Sequence, residues 1–147
     1  MINLPDFLYT EKGRVRTVLA ALLAMDVILA SCALLEPQLW FSIFHGTPYV
    51  DPQGFLPRTG ASWAAFAILQ ALALALWERQ PGWLLVVAGV RLGDCFTDWT
   101  YLSVAQDLTW FAYPALALAS PANLLAGLFL ARAYGKRTAA VPPDPTP

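Results

Sequence analysis

The sequence predicts an all-α fold: a polytopic bundle of four transmembrane helices, both termini on one side, with a short interfacial helix after the first span. Three observations lead there. Of 147 residues, 58% are apolar and 13% charged, whereas water-soluble domains run near roughly 45–50% and about 25%. Four apolar runs each approach the ~17–25 residues that cross a bilayer. Seven of the nine Lys and Arg residues, Lys12, Arg14, Arg16, Arg79, Arg132, Lys136 and Arg137, fall on one side of those runs and only Arg58 on the other, which places both ends in the cytoplasm.

Residues 1–14 read as a cytoplasmic N-terminal segment. The first span is 15–35, closed by Glu36-Pro37. Within it Leu29-Ala30-Ser31-Cys32 resembles a lipoprotein cleavage box, but Asp26 would then sit in the apolar part of a signal peptide, so an uncleaved span is the better reading. The outer loop is 36–60. Its Gln38–Phe44 stretch is too short to cross and too aromatic for water, hence a helix lying in the interface. The following His45–Gly54 stretch is dense in turn formers and is expected to cap the bundle.

The second span is 61–77 and rich in alanine, which permits close contact with a partner helix. It ends at Glu78-Arg79-Gln80-Pro81-Gly82. The third span is 83–105 and the fourth 110–134, with Gly135-Lys136-Arg137 reading as a stop. The tail 136–147, which holds four prolines, is expected to be disordered. Aromatic rings mark both interfaces: Trp77, Trp83 and Tyr134 at one, and Trp40, Tyr49, Trp63, Trp99, Tyr101 and Trp110 near the other.

Polar residues inside the spans are the main functional signal, because a charge at mid-bilayer costs at least ~2.5–3.5 kcal/mol and must face protein or water. At about 1.5 Å per residue from the cytoplasmic end, Asp26 lies about 16 Å deep, Gln70 about 12 Å, Arg91 about 13 Å and Asn123 about 16 Å. Asp94 and Asp98 continue outward from Arg91. These three share one face of the third helix, while Gly89 and Gly93 occupy the opposite face. The Gly89-x-x-x-Gly93 spacing permits close backbone approach, so the charged stripe is expected to turn inward and build a polar cluster around Arg91.

Pro114 and Pro121 interrupt the fourth helix, and Pro121 removes the donor for the carbonyl of Ala117. Ser120–Asn123 thus reads as a kinked, polar wall of the same cavity. Three carboxylates face one guanidinium, and arginine stays charged. The spacing i, i+3 pairs Asp94 with Arg91, leaving Asp26 as the protonatable partner and Asp98 charged near outer water. The candidate ligand or proton site is therefore Asp26, Gln70, Arg91, Asp94, Asp98 and Asn123.

Several classes are excluded or disfavoured. A net charge of −1 offers no basic face for nucleic acid. Cys32 and Cys95 make no CxxC or zinc pattern and read as small packing residues. His45, the only histidine, falls outside the spans and reads as a surface residue, so no haem or chlorophyll site is expected. No cofactor, metal or catalytic set is expected either.

The layout, with four spans and inward ends, resembles DoxX-like small bacterial membrane proteins, which implies association with a membrane redox system. Asp26 in the first helix, Val50-Asp51-Pro52 before the second, Phe66-Ala67-Ile68-Leu69-Gln70 within it and a Pro-containing fourth helix resemble the EXPERA-type family of the sigma-2 receptor and sterol isomerase. That resemblance implies an intramembrane pocket for sterols or other amphiphiles. Gln70 stands where that family carries an acid, and no His–Glu pair is present, so isomerase chemistry is not implied. The expected partners are membrane lipids, a hydrophobic small molecule, and a membrane protein or second copy. The expected role is lipid-like ligand binding or an accessory subunit of a membrane complex, in a bacterial inner membrane. A lipid or isoprenoid enzyme ranks behind, lacking a nucleophile–base pair, and proton-coupled transport by an oligomer ranks last, lacking repeats.

Overall fold

A computed structural model describes residues 10–139. The first nine residues of the expected N-terminal segment and the tail beyond Ala139 lie outside them. Five helices follow in order: α1 (Glu11–Leu35), α2 (Pro37–Phe44), α3 (Phe55–Leu76), α4 (Gly82–Val104) and α5 (Ala112–Ala139), with no strand among the described residues. By length and composition α1, α3 and α5 can each cross a membrane. In α4, Arg91, Asp94 and Asp98 interrupt the apolar run.

Polar side chains at the caps set where the helices start. The Thr10 hydroxyl accepts the Gly13 N–H at 3.0 Å and starts α1 at Glu11, four residues before the apolar stretch. Asp51 accepts the N–H groups of Phe55 and Leu56 at 3.0 and 2.8 Å, so α3 begins at Phe55 rather than at 61. Gly54, at φ 70°, makes the left-handed turn into it. Thr109 accepts the Ala112 N–H at 3.1 Å and starts α5 there rather than at 110. Pro114 consequently lies in the first turn, where a missing N–H interrupts nothing. At the other end, Gly135-Lys136-Arg137 does not stop α5, which runs to Ala139. Positive charge in a last turn is favourable to the helix dipole.

Two tight pairs make the bundle, α1 with α3 and α4 with α5, while α3 meets α4 less extensively and α1 touches α5 only slightly. One glycine sits at the crossing of each pair. A Cβ on Gly60 would come within 2.9 Å of both Ala33 Cβ and Leu34 Cγ, and one on Gly127 within 3.0 Å of Leu92 Cγ. Gly89 and Gly93, expected to admit a neighbour, face outward with nothing within 4 Å of a Cβ.

The interior is polar at mid-height and the surface apolar. Asp26, Gln70, Arg91, Asp94 and Ser120 are buried, while Met25, Ile28, Leu35, Ile68, Leu118 and Leu125 are exposed. A water-soluble bundle would reverse this distribution. Together with three helices able to cross the bilayer, it marks an integral membrane protein.

The half nearer the basic end is close-packed around Val15, Leu19, Ala73, Trp77, Leu84, Val87, Ala88, Leu130 and Ala133. At that end Glu78, in the α3–α4 turn, pairs with Lys12 and Arg16 of α1, each at 2.5 Å. Those two cations hold its carboxyl below the usual range. Arg137 of α5 donates to the Glu78 carbonyl at 3.2 Å.

Candidate functional site

Five residue pairs build the polar layer. Within the first pair, Gln70 Nε2 donates to Asp26 Oδ2 at 2.6 Å. Within the second, Asn123 Nδ2 donates to Asp98 Oδ2 at 3.1 Å. Arg91 joins the pairs: Nη2 lies 2.6 Å from Asp26 Oδ2 and Nη1 3.3 Å from Oδ1. It also reaches Asp94 Oδ2 at 3.2 Å and Asn123 Oδ1 at 3.5 Å. All six residues expected at the site thus meet in one network.

Their pairing differs from the expectation. Asp26, not Asp94, is the closest partner of the guanidinium. A carboxylate on a facing helix can present both oxygens to both terminal nitrogens, the fork-to-fork arrangement arginine favours. Asp94, three residues along the same helix, meets only Nη2. The Phe66 ring covers the guanidinium carbon at 5.8 Å, adding a cation–π contact.

Behind the layer, Ser120 and Cys95 lock α4 to α5. The Ser120 hydroxyl donates to the Cys95 carbonyl at 2.8 Å, and the Cys95 thiol lies 3.3 Å from the Ser120 carbonyl. The Ser120–Asn123 segment therefore seals the second pair instead of walling a cavity.

The cavity lies on the side of the layer away from the basic end. It measures about 720 Å3 and is bounded by α2, the loop after it, the first half of α3 and the second half of α4. Asp94 and Asp98 form its floor, and Trp40, Phe41, Trp63, Phe66 and Tyr101 supply aromatic walls. Asp26, Gln70, Arg91 and Asn123 are not at its surface. Gln70 Oε1 and Arg91 Nε are buried without a partner among the described residues, so the layer retains unused hydrogen-bonding capacity.

The lid is aromatic. Trp40, buried on α2, stacks on Phe44 with centroids 4.2 Å apart and meets Trp63 of α3 at 5.1 Å. Tyr49 N–H donates to Gln38 Oε1 at 3.1 Å, and the Thr109 hydroxyl to the Ile43 carbonyl at 2.6 Å. The loop after α2 caps this part of the bundle, as expected. At its rim the N–H groups of Leu56, Phe55 and Gly54 hold the Asp51 carboxyl below its ordinary value.

His45 is a correction. It is half-buried, lines the cavity, and its Nε2 lies 2.6 Å from the Tyr101 hydroxyl. The missed signal was periodic: Tyr101 follows Asp98 by three residues and prolongs the inward stripe of Arg91, Asp94 and Asp98.

Chemically, the floor accepts hydrogen bonds and carries excess negative charge, and the walls suit an apolar body. No group of three or more His, Cys, Asp and Glu residues able to hold a metal occurs among the described residues. Comparison with protein families, characterised proteins and solved structures finds no match. The functional reading therefore rests on this geometry.

Proposed function

We propose that this is a small four-span protein of a bacterial inner membrane, both termini cytoplasmic, that holds a lipid-like amphiphile in its intramembrane cavity. The carrying observation is the cavity of about 720 Å3 with aromatic walls over a carboxylate floor. Ligand sites are typically about 300–1,000 Å3, mostly apolar, with a few convergent polar groups. A head bearing O–H or N–H donors would meet Asp94 and Asp98, and an apolar body would lie against Trp40, Trp63 and Phe66. In this reading α4 also crosses, as the third of four spans, its charges turned from lipid by the Arg91 network.

Native mass spectrometry after gentle extraction tests the proposal. The wild type should retain a reproducible small adduct, and a variant with the cavity filled by Ser62→Trp and Thr97→Trp should lose it while melting as before. A wild type without adduct, or an adduct indifferent to filling, sinks the reading.

A second reading, an accessory subunit or homo-oligomer, is favoured by one observation. Gly89 and Gly93 form an outward strip of small residues with no neighbour in the bundle, the kind of surface on which a further helix packs closely. A protein that co-purifies with the wild type and is lost with Gly89→Leu and Gly93→Leu would support it.

A further inference from the structure

At the basic end, a second and smaller cavity opens between α1 and α5. Glu11 and Arg14 of α1 and Phe129, Arg132, Ala133 and Lys136 of α5 enclose about 250 Å3. The charges there do not balance. Elsewhere on this end Lys12 and Arg16 share Glu78, and Arg137 is bonded to the Glu78 carbonyl. In the cleft, Lys136 takes Glu11 at 3.0 Å. Arg14 and Arg132 have no carboxylate partner among the described residues, although both line the cleft. Three cations against one acid leave an excess of two positive charges. Both guanidiniums are exposed on the lining of the cleft, where an anion can reach them, and their planar forks match phosphate oxygens.

What surrounds the cleft indicates the kind of anion. Phe129 and Ala133 give it an apolar wall. Leu128 and Leu125, one and two turns from Arg132 on the same face of α5, are exposed. The cleft lies at the end of two helices that are each apolar enough to cross a membrane. A positive pocket there fits a phosphate head with acyl chains lying along the exposed leucines of α5; basic pockets between spans bind anionic lipid heads in this way.

We propose that the cleft is a binding site for an anionic phospholipid, its phosphate held between Arg14 and Arg132. The site is separate from the cavity over Asp94 and Asp98, and neither depends on the other. It supplies a counter-charge to Arg14 and Arg132, two of the three arginines of that end, with Arg79, that have no ion pair or side-chain hydrogen bond among the described residues.

The test uses the full chain in a neutral detergent, titrated with phosphatidylglycerol or phosphatidylcholine and read by native mass spectrometry. The wild type should prefer phosphatidylglycerol by roughly 10- to 30-fold, which is what about 1 kcal/mol from each of two arginines converts to. Arg14→Gln with Arg132→Gln should abolish the preference, whereas Arg79→Gln, which removes a cation of the same end outside the cleft, should keep it. Equal uptake of the two lipids by the wild type overturns the site, as does an equal loss in both variants, which would mean diffuse charge attraction. Inorganic phosphate at matched ionic strength should leave the preference intact; if it competes the lipid away, the site takes a free anion and the lipid assignment fails. The wild-type titration needs no variant to fold.

Discussion

The two halves of the bundle are built from the same apolar helices, yet one is solid and the other hollow. Toward the basic end, Leu19, Leu84, Val87 and Leu130 have no more than trace exposure, and Glu78 ties α1 to the α3–α4 turn. Toward the other end, the helices frame a cavity of about 720 Å3 roofed by α2 and its loop. The difference arises where the polar layer stops: below it the pairs are drawn together by side chains that interlock, and above it they are held apart by indoles and phenyl rings.

The sharpest way to break the contrast is to cut the layer dividing the halves. Arg91→Leu strands Asp26 and Asp94 without their cation, and removal of one partner of a buried pair costs about 3–5 kcal/mol. The expected result is a collapse of folded yield in detergent, with partial recovery when Asp26→Leu is added; wild-type melting of the single variant would show that the layer holds nothing together. Next in size, Leu84→Ala in the solid half should cost about 2–5 kcal/mol by leaving a void. Phe55→Ala, at an exposed ring lining the hollow half, should stay within about 0.5 kcal/mol. Equal losses in thermal melting would erase the distinction.

The glycines sharpen the comparison between the pairs. Gly60→Val forces a side chain into Ala33 and Leu34 and should cost about 1–3 kcal/mol. Gly93→Ala meets nothing and should gain about 0.5–1 kcal/mol from helix propensity. The smallest effect concerns the roof. Asp51 has its carboxyl held below the ordinary value of 3.8 by the N–H groups of the first turn of α3. A carboxyl lowered by folding contributes stability that is present above its unfolded value and lost as pH falls through the folded one. Hydrogen exchange at Phe55 and Leu56 should therefore quicken, relative to Leu84, as pH drops below about 4, and Asp51→Asn should remove that pH dependence.

Much of the polar layer was legible because ionised groups in apolar runs are costly and leave few places to go. Arg91, Asp94 and Asp98 announced one face by spacing, and depth matched them to Asp26, Gln70 and Asn123. The choice of Asp26 over Asp94 was not legible, since it depends on the orientation of a facing helix. Helix ends were misjudged where Thr10 and Asp51 start helices ahead of the apolar residues and Thr109 delays one. The close-approach glycines were also missed. Gly89-x-x-x-Gly93 advertises what a helix permits, but Gly60 and Gly127 are solitary and show their purpose only at a crossing. The cavity had no linear signal, because it depends on how Trp40 and Trp63 meet across the roof.

The helix pairs follow one another along the chain, α1 with α3 up to Leu76 and α4 with α5 from Gly82 onward. The ribosome therefore delivers the acid before the base. Asp26 and Gln70 emerge and can find each other while Arg91 is still unmade, so the early hairpin must wait in the bilayer with a half-answered carboxylate until the later one arrives.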